Sequence, residues 1–239
     1  MRISVALCTF NGEEYLENQL TSILNQTCPV DEIIICDDNS TDNTISIVNS
    51  YIEEGIENII LIQNKENIGT IKNFEKAIDK CTGDIIFLSD QDDLWLPNKV
   101  KSTIRILKNN DFVVTDCKLI DENENVIAQS FYENRNNKKS LIGNLLKFGY
   151  LGCCFAFRKE ILQKALPFPP IHKYCTHDNW LMLVAISYYR YCISDKKMIL
   201  YRRHENNASD GGFGSNKTLI FKFKYRIYLL HHILLIYFK

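Results

Sequence analysis

This sequence of 239 residues lacks the signatures of several well-known protein classes. It contains neither G-x-G-x-x-G after a first strand nor G-x-x-x-x-G-K-[ST], so a dinucleotide-binding motif and a P-loop are excluded. Its nine cysteines form no C-x-x-C pair, so neither a zinc site nor a disulfide framework is indicated. A formal net charge of −1 gives no electrostatic reason to expect nucleic acid as a partner.

The apolar content of the chain bounds its architecture. With 46% apolar residues, the chain can bury one good core, as one large domain or as a domain with an appendage. The scattered cysteines indicate reduced thiols and therefore the cytoplasm. Because Met1 leads straight into an apolar strand, no signal peptide is expected before it.

Strands and helices are predicted to alternate through the first 110 residues. Four short apolar stretches, at residues 3–8, 32–36, 58–63 and 83–88, are typical of buried strands. Segments with a helical spacing of apolar residues, such as 13–25, lie between them. This alternation predicts an α/β fold with a Rossmann-like, mostly parallel sheet and helices on both faces.

Three carboxylates crowd together where the fourth predicted strand ends. Asp90, Asp92 and Asp93 lie within four residues, and like charges this close resist being ionised together. A divalent cation would resolve the conflict, because Mg²⁺ and Mn²⁺ favour oxygen ligands. Open α/β sheets also bind ligands beyond the carboxyl ends of their strands. The alternative is a solvated acidic turn in which one Asp caps the helix that begins near Pro97.

Four short segments carry the strongest functional signal. They are Val-Ala-Leu-Cys-Thr-Phe-Asn at 5–11, Asp-Asp-Asn-Ser-Thr-Asp at 37–42, Asn-Ile-Gly at 67–69 and Asp-Gln-Asp-Asp-Leu-Trp at 90–95. In this order and at this spacing they resemble glycosyltransferase family 2, over roughly residues 2–210. With His-Asp-Asn-Trp at 177–180, the set is similar to the bacterial rhamnosyltransferase-like branch of that family.

The resemblance implies a GT-A fold, a nucleoside-diphosphate sugar as donor, and Mn²⁺ or Mg²⁺ bridging protein and diphosphate. It implies a glycosyltransferase domain over residues 1–215, with a nucleotide-sugar-binding half at 1–110 and an acceptor-binding half at 111–215. Residues 216–239 then form a C-terminal helical extension.

The resemblance also implies which residues bind the donor. The position-by-position match assigns nucleotide-sugar binding to Thr9, Asn11, Glu13, Asp37, Asp38, Lys72, Asp90, Gln91, Asp92 and Arg202. It assigns the metal to Asp90, Asp92 and His204. A carboxylate can accept from the imide N–H of uracil or thymine, as a UDP- or dTDP-sugar would require. The alternatives are turn chemistry at strand ends for the Thr and Asp positions, and an ordinary exposed helical position for Lys72.

On the acceptor side, the resemblance assigns Asp178 as the general base that takes the proton of the acceptor hydroxyl. The other acceptor residues that it implies are Trp95, Gly152, Cys153, His177 and Trp180. The alternative for Asp178 is a helix N-cap, a role that Thr176 also fits. The expected reaction is inverting sugar transfer to a glycan or lipid-linked acceptor in bacterial surface polysaccharide synthesis. A nucleotidyltransferase and a non-catalytic sugar-nucleotide-binding scaffold are the rival readings.

The last stretch, residues 219–239, interleaves aromatic and basic side chains. Its uninterrupted apolar run, Ile233 to Phe238, is too short to span a bilayer. A basic, aromatic helix suits a membrane interface, which would place the protein in the cytoplasm at the inner face of the membrane. The alternative is a helix that packs on the domain or on a second copy in a homodimer.

Overall fold

One mixed sheet runs through both halves of the chain. The structure, a computed structural model, describes residues 1–133, 135, 139–204 and 218–237. Within these residues the strands are β1 (Ile3–Thr9), β2 (Glu32–Asp37), β3 (Ile59–Gln63), β4 (Ile85–Ser89), β5 (Leu94–Trp95), β6 (Phe112–Ile120), β7 (Val126–Ala128), β8 (Phe155–Arg158) and β9 (Tyr191–Arg202). Their order in the sheet is β3-β2-β1-β4-β8-β6-β9-β5, and β7 pairs with β6.

Helices connect and cover these strands. Over the same part of the chain they are α1 (Leu16–Leu24), α2 (Thr44–Glu53), α3 (Thr70–Lys80), α4 (Lys99–Leu107), α5 (Leu141–Leu146), α6 (Leu162–Ala165), α7 (His177–Tyr188) and α8 (Leu219–Tyr237). Short 3-10 turns cover 152–154, 159–161 and 172–174.

The first four strands pair in parallel, as the alternation predicts. β1 pairs with β2 on one side and with β4 on the other, and β2 pairs with β3. Strands β1, β2 and β4 are buried at every residue, which explains why their sequences are continuous apolar runs instead of alternating ones. The carboxyl ends of β1, β2 and β4 therefore open together at one edge of the sheet.

The second half departs from a parallel sheet. β8 runs antiparallel between β4 and β6, whereas β6 and β9 are parallel and β5 is antiparallel to β9. The apolar run at 149–157 predicts one strand, but residues 152–154 form a 3-10 turn and β8 begins only at Phe155. Arg158 ends that strand. Glycine suits position 152 because a Cβ there would lie 2.6 Å from Nε2 of His177.

The C-terminal extension is a helix, as predicted. α8 packs on the domain through Leu229, Ile233 and Ile236, which are buried. Among the helices that the structure describes, none combines the length and the apolar character needed to cross a bilayer. The predicted domain boundary between residues 215 and 216 lies outside the described residues.

Candidate active site

A cavity of about 650 Å³ opens at the carboxyl ends of β1, β2 and β4. Its lining combines the ends of these strands with the start of α3 and with the segment that leads into α7, and the last two meet where Phe74 stacks on His177. The lining residues are Cys8, Thr9, Phe10, Asp38, Ile68, Gly69, Thr70, Ile71, Asn73, Phe74, Asp90, Gln91, Asp92, Leu151, Gly152, His172, Thr176, His177, Asp178 and Tyr201. The predicted donor and acceptor motifs thus meet on one cavity.

The loop after β2 is held by its two carboxylates. Asp37 is buried and accepts from the hydroxyl of Thr9 at 2.8 Å and from the backbone N–H of Ser40 at 2.8 Å. Asp38 accepts from the backbone N–H groups of Ile68 and Gly69, each at 2.8 Å. Asp38 reaches the cavity, whereas Asp37 does not line it.

Gly69 explains how the chain meets Asp38. Its φ of 85° lies in the left-handed region, where glycine alone is free of a Cβ penalty. This conformation points the backbone N–H of Gly69 at Asp38 just before α3 begins. The Asn-Ile-Gly motif is therefore a loop that one carboxylate anchors at the rim of the cavity.

Asn11 and Glu13 serve the neighbouring loop and do not line the cavity. The side-chain oxygen of Asn11 accepts from the backbone N–H of Thr41 at 2.8 Å. Glu13 accepts from the backbone N–H of Asn43 at 2.9 Å and from its side-chain amide at 2.7 Å. These predicted donor residues tie the loops after β1 and β2 together.

Three consecutive residues after β4 face the cavity. Burial, followed by the charges of Asp92 and Asp178, raises the pKa of Asp90 to about 8. The side-chain amide of Gln91 exchanges two hydrogen bonds with the backbone of Phe10, accepting at 2.8 Å and donating at 3.1 Å. Asp92 pairs through Oδ2 with Nε2 of His204 at 2.9 Å. Two carboxyl groups are thus crowded into this part of the cavity.

Asp93 points into the interior and not into the cavity. Its burial and the charges of Asp92 and Asp90 raise its pKa well above the usual range. Ligand atoms of Asp90, Asp93 and Cys153 all lie within 4.8 Å of one another, a second grouping that could hold a cation. A hydrogen bond with Cys154, together with burial, raises the pKa of the Cys153 thiol. Because the thiolate is the ligand form of cysteine, this grouping is the poorer one for a metal.

The carboxylates that line the cavity fit a divalent cation. Asp90 and Asp92 offer oxygen atoms at a place where a further positive charge would relieve their repulsion. Nε2 of His204 is engaged in its hydrogen bond to Asp92, so this imidazole positions the carboxylate from outside the cavity lining. Carboxylate oxygen atoms are the ligands that Mn²⁺ and Mg²⁺ favour.

Arg202 is a buried structural residue and does not line the cavity. Its Nε donates to the backbone oxygen of Asp92 at 3.0 Å, and its Nη1 donates to the backbone oxygen of Glu122 at 3.1 Å. Nη2 pairs with the carboxylate of Glu124 at 3.0 Å, and the guanidinium lies 4.8 Å from the ring centre of Tyr15. The end of β9 is thereby fixed to the loop after β4 and to the turn between β6 and β7.

Asp178 lines the same cavity from the first turn of α7. The helix N-cap is Thr176, whose hydroxyl accepts from the backbone N–H of Asn179. Oδ1 of Asp178 accepts from that same N–H at 2.7 Å and from the hydroxyl of Thr176. Within the described residues, no hydrogen bond is made to Oδ2 of Asp178. One carboxylate oxygen is thus held in place while the other faces the cavity.

His177 supports this segment from the side. Its ring stacks on Phe74 with centroids 4.0 Å apart, and burial lowers its pKa. Gly152 leaves the space that this ring occupies. His177 and Gly152 do line the cavity, in agreement with their predicted place on the acceptor side.

Four further predicted site residues lie outside the cavity lining. Trp95 and Trp180 are core residues, the first beneath the Lys99 ammonium and the second donating through Nε1 to the backbone oxygen of Ala165 at 2.7 Å. Cys153 is fully buried, and Lys72 is exposed on the outer side of α3.

Several lining residues were missed by the sequence reasoning. Asn73 and Phe74 face the cavity because they share one side of α3 with Thr70, whereas Lys72 lies about half a turn away. Helical spacing alone carries that signal. Tyr201 faces the cavity because neighbours along β9 point to opposite sides of the sheet, and Arg202 takes the inner side. His172 has no comparable signal in the sequence.

The family can now be stated from comparison with known proteins. The family model described as "Glycosyl transferase family 2" matches residues 4–166, which is more than half of the chain. The chain belongs to glycosyltransferase family 2. This confirms the family that the four sequence motifs indicate.

Two curated relatives illustrate the range of the likeness. The chain is 34% identical over 237 residues to a dTDP-rhamnosyl transferase, RfbG, of Shigella flexneri, covering 92% of this chain and 77% of that protein. It is 30% identical over 183 residues to the Escherichia coli protein WfgD, a UDP-Glc:alpha-D-GlcNAc-diphosphoundecaprenol beta-1,3-glucosyltransferase, covering 76% of this chain and 68% of that protein.

Two solved structures share the fold. Residues 1–349 of TarS from S. aureus, in complex with UDP-GlcNAc, match with a TM-score of 0.75 and 21% identity over 98% of this chain and 67% of that chain. The mannosyltransferase PcManGT from Pyrobaculum calidifontis, in complex with GDP-Man and Mn²⁺, matches with a TM-score of 0.68 and 20% identity over 86% of this chain and 58% of that chain. The predicted GT-A fold is confirmed, and this chain spans about two thirds or less of each solved chain.

Proposed function

We propose that this chain is a metal-dependent, inverting glycosyltransferase that moves a sugar from a UDP- or dTDP-sugar to a hydroxyl of a glycan or lipid-linked acceptor. The observation that supports the proposal most is the placement of Asp90, Asp92 and Asp178 on one cavity. The crowded carboxylate pair and the positioned carboxylate line the same cavity. Donor binding and proton removal can therefore take place next to each other.

In this proposal Asp90 and Asp92, the latter positioned by His204, would hold Mn²⁺ or Mg²⁺. When bound, the cation supplies charge stabilisation for the departing nucleoside diphosphate, so no second protein acid is required. The protein's own part is to keep Asp92 oriented, through the hydrogen bond from His204 and through Arg202 on its backbone oxygen. The Mn²⁺ complex of the mannosyltransferase PcManGT supports a divalent cation in this role.

The nucleotide would lie between the β1 end and the start of α3. Thr9, Asp38 and Gln91 line that side of the cavity and keep their assignment as donor-binding residues. Asn11, Glu13 and Asp37 would act indirectly, because their hydrogen bonds hold the loops that carry these donor-binding residues. The dTDP-sugar and UDP-sugar named for the two relatives support a uracil or thymine base.

Asp178 would act as the general base. Its Oδ1 is fixed by Asn179 and Thr176, which leaves Oδ2 to accept the proton of the acceptor hydroxyl as that oxygen attacks the anomeric carbon. The bond from the anomeric carbon to the diphosphate oxygen breaks on the opposite face, which inverts the configuration.

The first test of this function is Asp178→Asn. The amide keeps the size of the side chain but cannot take the proton, so we expect the single-turnover transfer rate to fall about 10²-fold or more while donor affinity stays the same. Since Thr176 is the N-cap, the melting temperature should also be preserved. Calorimetric donor binding and single-turnover transfer are measured on wild type and on Asp195→Asn, an exposed control outside the cavity.

The products identify the reaction class. Release of a nucleoside diphosphate from a panel of UDP- and dTDP-sugars supports sugar transfer, whereas pyrophosphate would indicate nucleotidyl chemistry. Near-normal transfer by Asp178→Asn overturns the base assignment. Loss of donor binding together with transfer would move Asp178 to the donor site.

We also propose that the enzyme works in the cytoplasm, at the inner face of the membrane. The cysteines of this chain are free thiols, which fits a reducing compartment. The diphosphoundecaprenol-linked acceptor named for the Escherichia coli relative supports an acceptor carried by a membrane lipid.

A further inference from the structure

Helix α8 is apolar on both of its sides. Leu229, Ile233 and Ile236 are buried against the domain. The outward side exposes between 40% and 83% of a row of large apolar residues, namely Leu219, Ile220, Phe223, Ile227, Leu230, Leu234, Leu235 and Tyr237. A helix on the surface of a globular domain normally turns a polar face outward, and a large exposed apolar patch marks a binding surface.

The exposed apolar surface extends beyond the helix. A groove of about 660 Å³ lies between α8 and the turn at 172–174, and its walls include Tyr174, Phe223 and Ile227. On the other side, the hydroxyl of Tyr225 donates to the backbone oxygen of Leu145 at 2.9 Å and so attaches α5 to α8.

Helix α5 extends the exposed apolar surface of α8. Ile142 and Leu146 are 70% and 56% exposed beside α8. We call α8, α5 and the 172–174 turn the α8 surface.

The charges of the α8 surface have one sign. The sequence has no Asp or Glu in residues 139–159, 161–177 or 218–237, which include all three elements. Lys147, Lys173 and Lys224 are exposed at this surface. An apolar helix face bordered by lysine and aromatic residues matches the composition of helices that lie in a membrane interface.

The same charges argue against a second copy as the occupant. A twofold dimer places a surface against itself, so the surface that carries Lys147, Lys173 and Lys224 would face a second surface of the same charge. No carboxylate within the three segments offsets that repulsion. Anionic lipid headgroups supply the complementary charge, and acyl chains supply the apolar partner.

We propose that the α8 surface docks on an anionic lipid bilayer, with α8 lying in the interface. The short segment 172–178 joins this surface to the catalytic cavity, because Tyr174 lines the groove while His172 and Asp178 line the cavity. Docking therefore turns the part of the cavity that contains Asp178 toward the membrane. That the acceptor enters from this side rests on the proposed function.

The test is vesicle flotation of the full-length protein with phosphatidylcholine vesicles that do or do not contain phosphatidylglycerol. We expect binding to the anionic vesicles, weakening as salt is added. Ile227→Glu should weaken it by about 10-fold or more, because an apolar side chain leaves the interface. Lys224→Gln should weaken it about five-fold. The matched control is Ile127→Glu, at an apolar position on β7 that is 56% exposed, against 51% for Ile227.

The outcomes separate this proposal from its rivals and from the proposed function. Equal flotation of wild type and Ile227→Glu, or equal binding to neutral vesicles, overturns it. A dimer seen by light scattering and dissolved by Ile227→Glu, without vesicle binding, assigns the surface to a second copy instead. Donor hydrolysis without vesicles is measured for every variant, and we expect it to be unchanged, so a failure of catalysis is recognised independently.

Discussion

Strands β2 and β4 lie on either side of β1, and each ends in closely spaced acidic residues, but the two loops neutralise them differently. Asp37 and Asp38 after β2 each accept three hydrogen bonds within the described residues, from hydroxyl, amide and backbone N–H groups of the surrounding loops. Donors of this kind stabilise the charged form of a carboxylate. The loop after β2 is therefore complete without a ligand.

The loop after β4 is not neutralised in this way. Burial, followed by the charges of Asp92 and Asp178, raises the pKa of Asp90 to about 8, because this carboxyl group is shielded from water and lies among other carboxylates. An acidic pair at the end of a buried strand can thus have either of two roles, to hold the loop together or to bind a cation. The supply of hydrogen-bond donors around it decides between a scaffold and a cation site.

The largest effect that tests this comparison is expected from Asp92→Asn. The amide keeps a partner for His204 but removes one charge from the cation site, so transfer should fall by about 10³-fold or more, the loss expected when several kcal/mol of metal charge stabilisation are removed. Because a carboxylate that raises the pKa of Asp90 is lost, the free energy of unfolding should be unchanged or higher. Transfer rates with and without Mn²⁺ and urea unfolding are the measurements.

Asp38→Asn is the matched control at the other loop. It should leave the metal dependence of transfer intact even if donor affinity changes. Full activity of Asp92→Asn, or full activity of the wild type in EDTA, would show that no cation acts at the β4 loop.

The next effect is on stability, at the β2 loop. Asp37→Ala leaves the hydroxyl of Thr9 and the backbone N–H of Ser40 buried or partly buried without their acceptor. We expect the free energy of unfolding to fall by about 2–4 kcal/mol, since hydrogen bonds to a charged group contribute about 1.5–3 kcal/mol each and are not additive.

Urea unfolding of Asp37→Ala is compared with that of Asp79→Ala, which removes an exposed ion pair with Lys80 and should cost at most about 1 kcal/mol. Equal stability of the two variants would mean that the β2 loop does not depend on its carboxylate.

The smallest effect is a pH dependence confined to the β4 loop. The folded protein retains the Asp90 proton up to about pH 8, whereas the unfolded chain releases it near the ordinary value of 3.8. Stability of the metal-free protein therefore falls as pH rises through this window, by up to about 1.4 kcal/mol per pH unit from this group. Because the lowered pKa of His177 acts in the opposite direction below its ordinary value of 6.5, the range above pH 6.5 is the informative one.

The measurement is urea unfolding in EDTA between pH 6.5 and 8.5, on wild type and Asp90→Asn. The difference between the two should change with pH, and Mn²⁺ should stabilise the wild type more at the higher pH. A constant difference would contradict the raised pKa of Asp90.

The first half of the fold could be predicted because its signals are local. Buried parallel strands need continuous apolar runs, and β1, β2 and β4 each show one between helical patterns. The edge strand β3 also has an apolar run but is partly exposed. The second half mixes antiparallel and parallel neighbours that lie far apart in sequence, and no local period records which strands meet. The run at 149–157 has the composition of a strand, but its residues 152–154 form a 3-10 turn, which composition does not record.

The candidate site shows the same limit at the level of single side chains. Motifs place Asp90, Asp92 and Asp178 near the chemistry, and the structure brings all three to one cavity. A motif does not say which way a residue points, and so Trp180 and Arg202 lie in the interior beside residues that line the cavity. Only the periodicity of the element that carries each residue could have separated the two groups.

The side chain of Gln91 extends the hydrogen bonding between β1 and β4 beyond the last pair of backbone residues. β1 and β4 stop pairing at Leu7 and Ser89, but the amide of Gln91 then bonds to both the N–H and the C=O of Phe10, as a neighbouring peptide would. Gly12 makes room for it, since a Cβ there would lie 2.3 Å from Oε1. These two hydrogen bonds join the loop after β1 to the loop after β4. A displacement of residues 10–12 would therefore also displace Gln91 and the carboxylates on either side of it, Asp90 and Asp92.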